Sequence, residues 1–219
     1  MMLTPTSNIF LVGLMGSGKT TIGRALAKKL NLRFVDADHE IEARTGASIP
    51  LIFEIEGEAS FRQREADVIR DLSAQQGIVL ATGGGAVLNE QSRRYLHERG
   101  TVIYLRASVN SILQRTSHDR NRPLLQTADP RARIEELSKQ RAPLYEEVAH
   151  ITIETGRPNV QSVVQNILSQ LERREASEPA ASAAPAAAAA PGASGPASAS
   201  ASAAPAATAP TEPQTSQHP

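Results

Sequence analysis

The stretch LVGLMGSGKTTIG, Leu11 to Gly23, packs four glycines into thirteen residues and sets a lysine directly after the third. It starts inside a short apolar run, NIFLVG (Asn8–Gly13), and ends inside an amphipathic one, Lys19–Leu30. Gly13 to Thr20 fits G-x-x-x-x-G-K-[ST], a loop that cradles phosphates when a strand precedes it and a helix follows. The glycines let backbone N–H groups turn inward, and the helix N-terminus adds partial positive charge. Lys19 supplies a mobile cation for the β- and γ-phosphates, and Thr20 offers a hydroxyl to Mg²⁺. Gly13, Gly16, Ser17, Gly18, Lys19, Thr20 and Thr21 form the expected ATP-binding set.

Working outward, apolar runs alternate with helical patterns along the chain. Asn8–Gly13, Leu32–Asp38, Gly77–Gly85, Thr101–Ala107 and His150–Thr155 read as strands. Lys19–Leu30, Gly57–Gln75, Glu90–Glu98, Val109–Arg115, Arg131–Val148 and Val160–Glu172 read as helices. Strands that are apolar on both faces and alternate with helices predict an α/β fold: a buried five-stranded parallel sheet in three α/β/α layers, of P-loop NTPase type. Its crossovers are expected to be right-handed. Ligands in such sheets gather at the C-terminal ends of the strands, so the residues just after each strand are the informative ones.

The last quarter of the sequence is different. After Leu171 there is no Val, Ile, Leu, Met, Phe or Tyr, and from Ser177 onward Ala, Pro, Ser and Gly dominate. Such a segment has too little to bury to offset its ordering entropy, so 175–219 reads as a disordered tail and 1–174 as one domain. Ending the chain near Arg174 is expected to leave activity intact. That domain holds 23 basic and 20 acidic residues, a net charge of +3, too small for a nucleic-acid surface. The absence of cysteine excludes disulfides and thiolate metal sites. No secretory signal and no membrane-spanning apolar run is evident, so the expectation is a cytoplasmic protein.

Two further features sit at predicted strand ends. Asp36, in the "DAD" after the second strand, is placed to hold the water shell of Mg²⁺, a cation that takes few carboxylates and keeps waters. Gly83, Gly84 and Gly85 follow the third strand, where bare backbone N–H groups allow close approach of a ring.

Five ordered motifs, GLMGSGKTTIGRALAKKL, FVDADHEIEARTGASIPLIFEIEGEASFRQRE, VLATGGGAV, NRPLL and QRAPLYEEVA, resemble the shikimate kinase family over about residues 8 to 172. The resemblance implies transfer of the ATP γ-phosphoryl group to the 3-hydroxyl of shikimate, on a fold like that of the nucleoside-monophosphate kinases. It implies an acceptor-binding region at about 37–65 and a lid at about 116–129. By the family pattern Arg62 and Arg141 grip the substrate carboxylate, as the flat guanidinium fork suits two oxygens. Asp38 matches the family acid beside the reacting hydroxyls, and Glu65 either orients Arg62 or makes a weak i,i+3 pair. A carboxylate in that pocket disfavours a phosphate dianion by on the order of a few kcal/mol at ~4 Å and suits an alcohol, which needs a proton acceptor.

TSHDRNRPLLQTAD, residues 116–129, is polar, contains Pro123 and lacks periodicity, so it reads as a mobile loop of the kind that forms lids. By resemblance Arg122 covers the γ-phosphate, selected over Arg120 by its pairing with proline, and Arg115 and Arg157 belong to the ATP site, with Arg115 on adenine. The catalytic set is therefore Lys19, Asp38 and Arg122. The five histidines show no metal spacing. The partners expected are ATP and shikimate, with no nucleic acid or membrane, and a monomer is the family expectation. Two alternatives stay open: another P-loop small-molecule kinase, such as a gluconate kinase, and a nucleotide-binding regulator without catalysis.

Overall fold

The first strand, β1 (Asn8–Val12), is buried along its whole length and occupies the middle of the sheet. Its side chains alternate between two cores. Ile9 and Leu11 pack with α1 (Lys19–Leu30) and α7 (Val160–Ser177), while Phe10 and Val12 pack with α3 (Ile49–Ser73), α4 (Glu90–Arg99) and α6 (Pro130–Val148). Cover on both faces explains why this strand is a continuous apolar run rather than an alternating one. These positions belong to a computed structural model that describes residues 8–117, 127–156 and 159–177, all within one compact unit.

The other strands are β2 (Arg33–Asp36), β3 (Ile78–Ala81), β4 (Gly100–Arg106) and β5 (Ile151–Glu154). All pair in parallel, in the order β2-β3-β1-β4-β5, with Leu11 opposite Ala81 and Val12 opposite Tyr104. The predicted five-stranded parallel sheet is thus observed, with helices on both faces. At its N-terminal rim Asn8 Nδ2 donates to Gln75 O at 2.5 Å and Asn8 Oδ1 accepts from Ile78 N at 3.2 Å, fixing the register of β1 against β3. The loop after β1, the helix after β2 and the glycines after β3 then lie together at the opposite rim.

Among the boundaries that differ from the sequence reading, three do so for a plain local reason. β2 stops at Asp36 rather than Asp38, because the Asp36 carboxylate accepts from Asp38 N at 3.1 Å and caps α2 (Ala37–Thr45), a helix the sequence reading left out. Only Ala37 and Ile41 of α2 are buried, too few to give a helical apolar period. The helix expected from Gly57 begins at Ile49 instead, with Pro50 in its first turn. Gly57 marks a kink, at φ 80° and ψ 173°, a conformation that glycine adopts readily. Finally, β3 ends at Ala81, and Gly83–Gly85 form a turn into a 3₁₀ segment, Ala86–Leu88. The last helix, α7, runs to Ser177, past the expected end at Glu172 and into the segment read as tail from 175. Among the described residues no helix is long and apolar enough to cross a membrane.

Candidate active site

The loop between β1 and α1 is held open by positive-φ glycines: Gly13 at 142°, Gly16 at 73° and Gly18 at 100°. A Cβ on Gly13 would lie 2.6 Å from the Leu105 carbonyl oxygen, so only glycine fits there. Lys19 opens α1 and folds its side chain over the loop, donating from Nζ to Gly13 O at 2.8 Å and Leu14 O at 2.9 Å. These carbonyls hold the ammonium at the mouth of the loop, within which Ser17 Oγ is buried and has no hydrogen-bond partner. Thr21 is exposed on α1.

Thr20 Oγ1 donates to Asp36 Oδ2 at 2.8 Å, so the two residues expected at the metal do meet. A hydroxyl and one carboxylate beside a phosphate loop fit Mg²⁺, which completes its shell with water and phosphate oxygens. Among the described residues there is no cluster of three His, Cys, Asp or Glu of the kind that would bind a metal alone. Arg115, on α5 (Val109–Thr116), donates to Gly16 O at 3.1 Å, Thr155 O at 2.5 Å and Gly156 O at 3.1 Å. It thereby ties the phosphate loop to the end of β5. Arg120, Arg122 and Arg157 fall outside the described residues, as does most of the expected lid.

Beside the loop opens a cavity of about 280 Å³. Asp38 and Glu42 reach it from α2, Phe53, Phe61, Arg62 and Glu65 from α3, Gly83, Gly84 and Gly85 from the turn after β3, and Arg141 from α6. Every acceptor-side residue expected from the sequence is therefore in one place. Met15 of the phosphate loop lines the same cavity, so the nucleotide and acceptor sites are contiguous.

The two arginines are in different states. Arg62 donates from Nε and Nη2 to Glu58 Oε1, at 3.2 and 2.8 Å, and from Nη1 to Glu65 Oε2 at 2.7 Å. Its guanidinium lies so close over Gly85 that a Cβ there would overlap it. Arg141 is only 3% exposed, donates from Nη1 to Gly84 O at 3.2 Å, and keeps a buried Nε with no partner. A buried cationic donor left unpaired is unfavourable until an anion arrives.

Electrostatics follow this layout. Burial pushes the Glu65 carboxyl up, against the lowering pull of Arg62, and the nearby Asp38 charge adds to the rise. Glu65 Oε1 is buried, unpartnered and directly over Gly83. For Arg62 burial works to lower the pKa, but the charges of Glu65 and Glu58 leave it raised. Arg141 is lowered, by burial first and by Arg62, against the raising effects of Tyr145, which hydrogen-bonds it, and of Glu65.

Sequence reasoning passed over two residues here. Glu58 stands one helical turn before Arg62, a spacing that signals a pair but not that its Oε1 takes both Nε and Nη2. Tyr145, fully buried, donates from Oη to Gly84 O at 2.5 Å; within PLYEEV it looks like any core aromatic. Glu146, five residues beyond Arg141 in the sequence, pairs with Arg106 at 2.5 Å.

With this geometry in place, comparisons with known proteins agree. The sequence profile of the shikimate kinase family matches residues 15–172. A shikimate kinase of Ralstonia nicotianae is 61% identical over 166 residues, 76% of this chain and 87% of that protein. One from Chromobacterium violaceum is 60% identical over 164 residues, 75% of this chain and 89% of its own length. Among solved structures, the shikimate kinase of Acinetobacter baumannii in complex with shikimate superposes with a TM-score of 0.77 at 49% identity, covering 78% of this chain and 96% of that one. The Aquifex aeolicus enzyme gives a TM-score of 0.67 at 36% identity, covering 78% and 99%.

Proposed function

The chain belongs to the shikimate kinase family, ATP-dependent phosphotransferases acting on shikimate, and we propose a division of labour among its own residues for that reaction. The observation that carries it is the convergence of Asp38, Arg62, Arg141 and the Gly83–Gly85 turn on one cavity that shares Met15 with the phosphate loop. Gly13, Gly16, Ser17, Gly18, Thr20 and Thr21 hold the ATP phosphates, and Lys19 leaves its loop carbonyls for the β- and γ-oxygens. Arg141 and Arg62 bind the carboxylate of shikimate. Gly83–Gly85 let the ring approach the backbone. Asp38 accepts the hydroxyl proton and aims that oxygen at the γ-phosphorus for in-line transfer.

Thr20 and Asp36 are the residues that would hold Mg²⁺, which when bound screens the phosphate oxygens and withdraws charge from them. Arg122 covers the transferring group, with Arg115 on adenine and Arg157 elsewhere in the ATP site. Residues 1–174 make up the working unit, and 175–219 take no part in the chemistry. The cavity is complete within one chain, which supports action as a monomer; a cytoplasmic location belongs to the same reading.

A coupled assay for ADP offering shikimate, gluconate and AMP in turn tests the assignment. Turnover with shikimate alone is expected. Equal turnover with gluconate would return the pocket to a general sugar-acid kinase, and nucleotide binding without turnover would make the chain a regulator.

A further inference from the structure

Two donors from α6 converge on one backbone oxygen. Gly84 O accepts from Tyr145 Oη at 2.5 Å and from Arg141 Nη1 at 3.2 Å. The two bonds are unequal. The hydroxyl makes the short one, and the guanidinium, which carries the greater charge, makes the long one. Tyr145 is 0% exposed and its ring stacks on Tyr104 with centroids 5.0 Å apart, which holds the ring and its oxygen in place between Gly84 O and the Arg141 guanidinium, with which it also interacts directly. Burial also keeps it protonated by pushing its pKa up, so it remains a donor at any working pH.

We propose that Tyr145 is a positioning residue for the acceptor site: by satisfying Gly84 O it fixes the glycine turn and leaves the Arg141 fork directed at the substrate carboxylate. Without the hydroxyl, Gly84 O becomes an under-satisfied, part-buried acceptor beside a cation. The nearest donor is Arg141, which then closes its long bond and withdraws from the cavity. The unpartnered Nε of Arg141 moves with it, since the guanidinium is one rigid plane. Gly84 shifts as well, and its neighbours Gly83 and Gly85 lie under Glu65 and Arg62. One hydroxyl therefore sets the aim of one arginine and the height of the floor beneath the other.

The inference rests on Arg141 binding the carboxylate, and the experiment separates the two ideas. Steady-state kinetics are measured for Tyr145→Phe, Arg141→Lys, the double variant and Tyr104→Phe, a control that removes the other hydroxyl of the same ring pair. Tyr145→Phe is expected to raise KM for shikimate about five- to tenfold, the worth of one hydrogen bond, with KM for ATP unchanged. In the Arg141→Lys background the same change should do much less, because both act through one guanidinium. An unchanged shikimate KM, parallel changes for both substrates, additivity in the double variant, or an equal effect of Tyr104→Phe would each overturn the proposal. If Arg141→Lys itself leaves shikimate binding intact, it is the carboxylate assignment that fails. Should Tyr145→Phe not fold, Tyr145→Met, also without the hydroxyl, is read by the same criteria.

Discussion

The nucleotide loop and the acceptor cavity lie side by side yet are built in opposite ways. The loop takes all its chemistry from eight consecutive residues, Gly13 to Thr20, with Asp36 added from the next strand end. The cavity draws on α2, α3, the turn after β3 and α6, spanning Asp38 to Arg141. A local device works by backbone geometry, so one residue carries most of its charge. A distributed device works by competition among side chains, so its residues share the effect.

The sharpest break of that contrast is Lys19→Met. Lys19 is the cation that the loop holds on two of its own carbonyls, and in the proposed role its loss would remove charge stabilisation from the transition state rather than from ground-state binding. Turnover is expected to fall at least about a thousandfold, with KM for shikimate little changed. A loss confined to KM for ATP would make Lys19 a tether only.

On the acceptor side the two arginines can be set against each other. Arg141 has an open buried donor, whereas Arg62 already pairs with Glu58 and Glu65. An ammonium keeps the charge but loses the fork. Arg141→Lys should therefore raise KM for shikimate about a hundredfold and Arg62→Lys only about tenfold. Isothermal titration with shikimate ranks them directly. The reverse order would mean that Glu58 and Glu65 let go of Arg62 when substrate binds, making it the principal grip. Unchanged affinity in Arg62→Lys would remove Arg62 from the pocket.

This asymmetry also shows what the sequence could convey. The phosphate loop was fully legible because its physics is local: spacing, glycine freedom and a following helix suffice. The sheet was legible too, since burial on both faces leaves continuous apolar runs such as NIFLV. The cavity residues were identified as a set through ordered family motifs, and the structure brings them together. Their states were not legible. The spacing of Glu58 and Glu65 around Arg62 signals pairing but not that both are engaged at once, and nothing in QRAPLY tells that Arg141 has an idle Nε, because its surroundings include Gly84, 57 positions away. The helix over Ala37–Thr45 escaped notice for a related reason: a capping carboxylate starts it and only two side chains anchor it.

Glu65 gives a smaller, pH-dependent test of the cavity's crowding. Burial outweighs Arg62 and lifts the Glu65 carboxyl above its ordinary value. The folded protein then holds that proton more tightly than the unfolded chain, so the contribution to stability is full below the unfolded carboxylate value. It is lost as pH rises through the folded one. Melting temperatures of the parent and Glu65→Gln, compared between about pH 5 and about pH 8, should favour the parent most at the acid end and converge or cross toward neutrality. Parallel curves would show that Arg62 neutralises Glu65 completely.

The smallest effect separates two meanings of the Glu58–Arg62 pair. If Glu58 merely orients Arg62, removing its charge weakens shikimate binding. The geometry points the other way: Glu58 Oε1 takes both Nε and Nη2 of Arg62, the edge of the fork that a substrate carboxylate needs, and its side chain is half exposed. On the proposed assignment Glu58 would be a stand-in anion that substrate displaces into solvent, with Glu65 keeping Arg62 aligned. An exposed pair of this kind contributes little, so Glu58→Gln should lower KM for shikimate by about two- to threefold. The gain should shrink at high ionic strength, where the competing pair is already screened. A rise in KM would make Glu58 part of the grip and remove the distinction between an engaged arginine and an open one.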